Sequence, residues 1–168
     1  IYNISYFYYG WAMKAEHYLQ APAAATMNSQ SRTLSSWLDP GFKGALLDTF
    51  QQILAGAHQV FDEDLKFTHD NLGDTTAYRL REGIERFLIT DINNPAATTE
   101  AQSDLAVMHD MLVANINMDG ATVANHVPGG GNVLYLDGHV EFVRYPGEWP
   151  ICSTWSVLMA DPTALILP

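Results

Sequence analysis

The chain has 168 residues, 48% of them apolar, long enough for folding to remove about 68–70% of the unfolded chain's surface from water. Only 16% of the residues are charged, eight basic against nineteen acidic, for a net charge of −11. The basic residues form no patch, which excludes a phosphate-gripping nucleic-acid surface and attraction to an anionic membrane, and the scarcity of charge leaves neutral surface that is cheap to desolvate against a partner.

Residues 1–11 hold no charge and are dense in Tyr, Phe and Ile. They predict a strand with Tyr2, Ile4, Tyr6 and Tyr8 on one face, Phe7 and Tyr9 on the other, and Trp11 at its end. Both faces are apolar, so the strand should be covered on both sides. It is either an internal strand of the core or an assembly arm donated to a neighbour. Asn3-Ile4-Ser5 is the single Asn-x-Ser/Thr site, which makes Asn3 a candidate glycan acceptor. Residues 12–168 read as one globular domain behind this strand.

A short helix is predicted over 13–19, followed by a small, polar loop over 21–36 in which O-linked sugar could be carried. Asp39-Pro40 is a helix start, and Phe42, Leu46, Leu47, Phe50, Ile53 and Leu54 recur at helical spacing through Ala57. The acidic stretch 62–74 reads as a solvated loop, and 75–88 as a second helix carrying Tyr78, Leu80, Ile84, Phe87 and Leu88. Residues 91–104 have no apolar period and read as a loop; 105–113 fits a strand or a helix equally. A polar, glycine-rich connection over 115–131 leads to the best-defined element. There Asp137-Gly138 is the favoured pair for a two-residue type I′ turn between strands 132–136 and 139–143. That register pairs Tyr135 with Val140 and Val133 with Phe142, placing all four on one apolar face. The tail after Tyr145-Pro146-Gly147 is apolar to its end and is a second candidate for burial against neighbouring copies.

No apolar run reaches the ~18 residues that span a bilayer. The chain opens on Ile1 rather than Met, which points to a processed or partial chain whose export or anchoring segment lies elsewhere. Cys152 is the lone cysteine, so no intrachain disulfide can form, and its simplest role is that of a small, partly buried apolar residue.

Three polar constellations carry chemical alternatives. Asn115, Asn117 and Asp119, followed by Gly120, match the opening of a calcium loop, but the twelfth position is His126 and not Glu, so a plain turn is the competing reading. Asp91, Asp104 and Asp110 are further oxygen donors. His126, Asp137 and His139 combine imidazoles with a carboxylate, as a metal site would. Against that, Asp137 and Gly138 have a turn to make, and His126 could bond the backbone of the glycine loop. Gly129–Gly131 is no phosphate loop, because no Lys-Ser or Lys-Thr follows it, and no Gly-x-Ser-x-Gly elbow exists for a hydrolase.

The stretch HVPGGGNVLYLDGHVEF (126–142) resembles the C-terminal signature of the prepilin-type processing-associated family, a His, nine residues, then Asp-Gly. The matching positions are His126, Gly129, Gly130, Asn132, Asp137, Gly138, His139, Val140 and Phe142, with ten residues rather than nine between His126 and Asp137. Residues 78–97 and 4–11 are also similar to members of that family. The resemblance implies a secreted bacterial relative of type IV pilins and pseudopilins, extracellular or at the cell surface. It further implies a pilin-like α+β fold of helices on a small antiparallel sheet, no catalytic activity and no required cofactor, with calcium as the ion such proteins sometimes hold. Self-association into a pilus-like filament is the expected function. An envelope metal- or small-ligand-binding protein using His126, Asp137 and His139 is the alternative.

Overall fold

The computed structural model describes residues 5–31, 33–84, 102–114, 122–124, 126 and 129–160. The architecture is α+β. Strand β1 (Tyr6–Tyr8) leads into two one-turn helices, α1 (Ala15–Tyr18) and α2 (Ala23–Thr26), and then the long helix α3 (Pro40–Leu54). A hairpin of β2 (Leu65–His69) and β3 (Gly73–Ala77) follows. Then come β4 (Ala106–Asp110), β5 (Leu112–Ala114), β6 (Thr122–Ala124), β7 (Gly130–Tyr135), β8 (Val140–Arg144) and the closing helix α4 (Ser153–Ala160). The main sheet has four antiparallel strands in the order β1-β4-β7-β8, so β1 and β8 are its edges. Strands β2–β3 and β5–β6 form separate two-stranded pairs.

Helix α3 starts where the sequence places it. The Asp39 carboxylate accepts the Phe42 N–H at 2.9 Å and Pro40 occupies the first turn, so one orphan donor is satisfied and another is absent by chemistry. Asp39 is fully buried and also accepts the Asp70 N–H at 3.0 Å, tying the helix start to the turn after β2. A side chain at Gly41 would stand 1.9 Å from the Thr68 carbonyl oxygen, so only glycine allows this contact between α3 and β2.

Two expected elements are replaced. The acidic stretch 62–74 is largely the β2–β3 hairpin, because Leu65, Phe67 and His69 are buried while Lys66 and Thr68 are exposed. That is a strand's period of two, and the acidic residues on either side of β2, Asp62–Asp64 before it and Asp70 after it, hide it. The predicted helix over 75–88 is β3 as far as Ala77, followed by irregular chain to residue 84. Thr75 and Thr76 favour a strand, and Gly83 at φ +83° is incompatible with a helical turn. Residues 85–88 lie outside the described residues. The ambiguous segment 105–113 is strand, divided into β4 and β5. The 21–36 loop contains α2 and a 3₁₀ turn over Leu34–Ser36.

The β7–β8 hairpin differs from expectation by one residue. Leu134 pairs with Val140, Val133 with Glu141 and Asn132 with Phe142. The Tyr135 N–H donates to the His139 oxygen at 3.0 Å, and the Gly138 N–H donates to the Tyr135 oxygen at 2.9 Å. The loop is therefore the three residues Leu136, Asp137 and Gly138, with Gly138 alone at positive φ (+91°). A type I′ turn needs positive φ at both central residues, and Asp137 avoids it by taking an ordinary turn closed by a glycine bulge. A slip of one residue exchanges the faces of a strand. Val140 and Phe142 thus leave the face of Val133 and Tyr135 and become exposed, at 62% and 42% of their surface.

The core lies between the inner sheet face and the helices. Tyr9, Tyr18, Trp149 and Trp155 form its centre, with ring centroids 4.5–5.5 Å apart. Trp37, Phe42 and Phe67 extend it beneath α3. The apolar tail over 149–158 is spent here: Ile151 and Leu158 are fully buried and Trp155 nearly so. It is intramolecular core and not a surface offered to other copies; residues 161–168 lie outside the described residues. No helix among the described residues is long and apolar enough to cross a membrane.

Candidate self-association surface

Strand β1 shows how one short segment serves two environments. Phe7 and Tyr9 point inward, packing edge-on to each other at 5.1 Å and against Trp155 at 5.7 and 5.5 Å. Beneath them His109 is almost fully buried. It accepts the Trp155 indole N–H on Nε2 at 3.1 Å and donates from Nδ1 to the Asp110 carbonyl at 2.6 Å. Both ring nitrogens are occupied by a neutral imidazole, and burial lowers its pKa from 6.5 to about 4 against the opposing pull of Asp110. On the outer side Tyr6 and Tyr8 expose 60% and 55% of their surface. The expectation that both faces are covered is therefore corrected. Described residues cover one face, and β1 is an edge strand of its own sheet, not an internal strand.

The outer sheet face continues this pattern across the strands. Register places Tyr8, Met108, Leu134 and Val140 in one row, and Tyr6, Asp110, Asn132 and Phe142 in the next. The four large exposed apolar side chains of these rows are thus on the two edge strands. The middle of the second row is polar but closed. The buried Asp110 carboxylate accepts the Asn132 backbone N–H at 2.7 Å, the Asn132 side-chain N–H at 2.8 Å and the His126 Nε2–H at 2.8 Å.

Backbone direction follows from the same register. The Met111 N–H donates to the Ser5 oxygen at 2.8 Å, and the Tyr9 N–H to the Val107 oxygen at 2.9 Å, so the odd-numbered residues of β1 face β4. Tyr6 and Tyr8 consequently turn their N–H and C=O groups outward, and among the described residues nothing bonds to them. The free stretch is short. At Gly10–Ala12 the edge is taken by residues 78–80, through Leu80 N–H to Gly10 oxygen (2.9 Å) and Ala12 N–H to Tyr78 oxygen (2.7 Å). Beside this edge lies a cleft of about 560 Å³, lined by β1, by Phe42, Leu46 and Phe50 of α3, and by Trp155, Leu158 and Met159 of α4.

The signature residues separate into two groups. His126 and Asn132 meet at Asp110, near the glycine end of the hairpin. A side chain at Gly130, whose φ is +148°, would lie 2.4 Å from the Val143 carbonyl oxygen, and one at Gly131 would crowd Asp110 and Ile151 at 3.1 Å. Gly129 also has positive φ (+123°). Asp137, Gly138 and His139 sit at the turn, where Asp137 accepts the His139 N–H at 3.0 Å and its Nδ1 at 2.6 Å. These bonds, the backbone one first, hold the Asp137 carboxyl below its usual range. His139 also stacks on Tyr135 at 4.4 Å. His126, bonded to Asp110, is not gathered with Asp137 and His139 into one ligand set, and no metal-holding group of three His, Cys, Asp or Glu occurs among the described residues.

Tyr2, Asn3, Ile4, Asn115, Asn117 and Asp119 lie outside the described residues. Trp11 sits at the end of β1, its indole donating to the Glu63 oxygen at 2.8 Å. Cys152 is completely buried beside the Tyr18 hydroxyl (3.4 Å), and burial raises its thiol pKa. Sequence reasoning missed the roles of Asp110 as the hub of the His126 group and of His109 as the floor of β1. Val107-Met108-His109-Asp110 carries no alternation that would have marked either role. Comparisons with family models, curated proteins and solved structures found no match.

Proposed function

We propose that the chain is a non-catalytic structural subunit that associates with copies of itself, as part of an extracellular or cell-surface bacterial filament of the pilus-like kind. The observation that carries this reading is the uncharged edge of β1, where Tyr6 and Tyr8 combine exposed aromatic surface with outward backbone groups that no described residue bonds, on a chain of net charge −11. An acidic protein repels its own copies, so contact is favoured where charge is absent. The histidines support the same reading. His69, His109, His126 and His139 each bond backbone, indole or carboxylate groups that hold the fold. The alternative, a ligand set of His126, Asp137 and His139, draws no support from their placement.

Magnitudes narrow the mode of contact. Hiding the exposed halves of Tyr6 and Tyr8 in two copies gains on the order of 3–6 kcal/mol. Association costs at least about 4 kcal/mol in lost freedom. Side-chain burial therefore only balances the cost, and backbone hydrogen bonds at about 0.5–1.5 kcal/mol each decide the outcome. Sedimentation velocity over a concentration series tests the function. Concentration-dependent association is expected, with the double variant Tyr6→Lys/Tyr8→Lys weakened about a hundredfold. A chain that stays a monodisperse monomer at high concentration would overturn it.

A further inference from the structure

We propose that two copies of this chain join through their β1 strands, edge to edge and antiparallel, about a two-fold axis. The inference rests on the self-association reading above and assigns its first contact.

Among the described residues the sheet has two open edges, and they differ. Strand β8 carries Glu141 and Arg144, both exposed, so a second strand laid against it must accommodate charge. From Ser5 to Met13 there is no charged residue at all. Charges on an edge strand oppose pairing, and β1 lacks that protection.

The backbone pattern fixes the register. Only Tyr6 and Tyr8 turn their N–H and C=O groups outward before residues 78–80 occupy the edge at Gly10. An antiparallel pairing that uses all of these groups sets Tyr6 against Tyr8 of the partner subunit, and Tyr8 against Tyr6 of the partner subunit. Four hydrogen bonds form, and the two-fold axis passes at Phe7. The arrangement is isologous and closed, the commonest symmetry among homo-oligomers.

Side-chain chemistry agrees on both faces. On the outer face Tyr6 and Tyr8 meet the same residues of the partner subunit, giving cross-strand aromatic pairs. On the inner face the two Phe7 side chains adjoin, and the apolar clefts beside the two β1 strands open toward each other. Phe50, which is 47% exposed on the wall of that cleft, gains cover from the same approach. Pairing β1 with β8 through Val140 and Phe142 would instead place Glu141 opposite Phe7 at this apolar site.

The test uses the full chain with single cysteines at exposed positions. Directly opposed residues in such a pair lie close enough for a disulfide. Tyr6→Cys mixed with Tyr8→Cys under mild oxidation should give a cross-linked dimer on a non-reducing gel, at least about five times more than either variant alone. Cys152 is buried, so the unsubstituted chain supplies the blank. In parallel, Tyr8→Pro removes an outward N–H without touching a bond to β4. It should raise the dimer dissociation constant about tenfold while circular dichroism stays unchanged. Association of the unsubstituted chain without preferential cross-linking in the mixture would overturn the β1 pairing and leave self-association standing. So would either cysteine variant cross-linking with itself as readily as with the other. A strictly monomeric unsubstituted chain would overturn both.

Discussion

The two edges of the main sheet meet water in different ways. Strand β8 is part of a hairpin, keeps five residue pairs with β7, and carries Glu141 and Arg144. Strand β1 is three residues long, pairs with β4 alone among the described strands, and carries no charge. One edge holds itself in place by local hydrogen bonds and shields itself with charge. The other is held by what lies beneath it, Phe7 and Tyr9 on His109 and Trp155. An edge secured by its own hairpin can tolerate charge, whereas the inward residues of an edge secured by aromatic packing must be apolar; alternation leaves the outward positions of β1 free to be polar, yet they are Tyr6 and Tyr8.

The largest way to break this contrast is acid. His109 is neutral in the fold, with a pKa lowered to about 4 by burial, while in the unfolded chain it returns to 6.5. Below 6.5 the unfolded chain binds the proton more readily, so stability rises with pH through this window. The full contribution is present above pH 6.5 and is lost progressively as pH falls towards about 4, roughly 3 kcal/mol in all. Protonated Nε2 cannot accept the Trp155 N–H, so the loss falls under β1. Amide exchange at pH 4.5 should accelerate for Phe7 and Tyr9 well before it does for the β8 amides facing β7. Equal acceleration at both edges would show that His109 is not what holds β1.

The second test removes the protection of β8. Glu141→Thr with Arg144→Thr leaves strand propensity intact but deletes both charges. A second sticky edge should then appear beside β1, enlarging the associated species beyond those of the unsubstituted chain and tightening association about tenfold at equal concentration. Light scattering checks it. Unaltered particle size would mean that the charges on β8 do not decide which edge is used.

How much of this could be read from the sequence depended on whether the signal was local. The start of α3 was legible because Asp39-Pro40 is a local cap, and the apolar spacing from Phe42 agreed with it. The β2–β3 hairpin was not, because the alternation of Leu65, Phe67 and His69 is only five residues long and is flanked by Asp62, Glu63, Asp64 and Asp70, which suggest a solvated loop. For β1 the composition was readable, but the coverage of its two faces was not. That coverage depends on α4, some 145 positions further along the chain, lying under one side of it. The same limit applied to the site: Asp110 and His126 are sixteen positions apart, and only folding shows that one closes over the other.

The smallest effect concerns the hairpin turn, which determines what β8 presents. Gly138 stands at φ +91°, with open space where a side chain would go, so the cost of replacing it is purely conformational. Gly138→Ala should lower stability by about 1–2 kcal/mol, and Gly138→Asn by less, because Asn tolerates that backbone region. Urea denaturation gives both values. The turn sets register, and register places Val140 and Phe142 outward, so the strain is felt at β8 and not at β1. Association through β1 should therefore be the same in both variants as in the unsubstituted chain. If Gly138→Ala weakens association as strongly as it weakens the fold, β8 belongs to the contact, and the difference between the two edges is not what selects it.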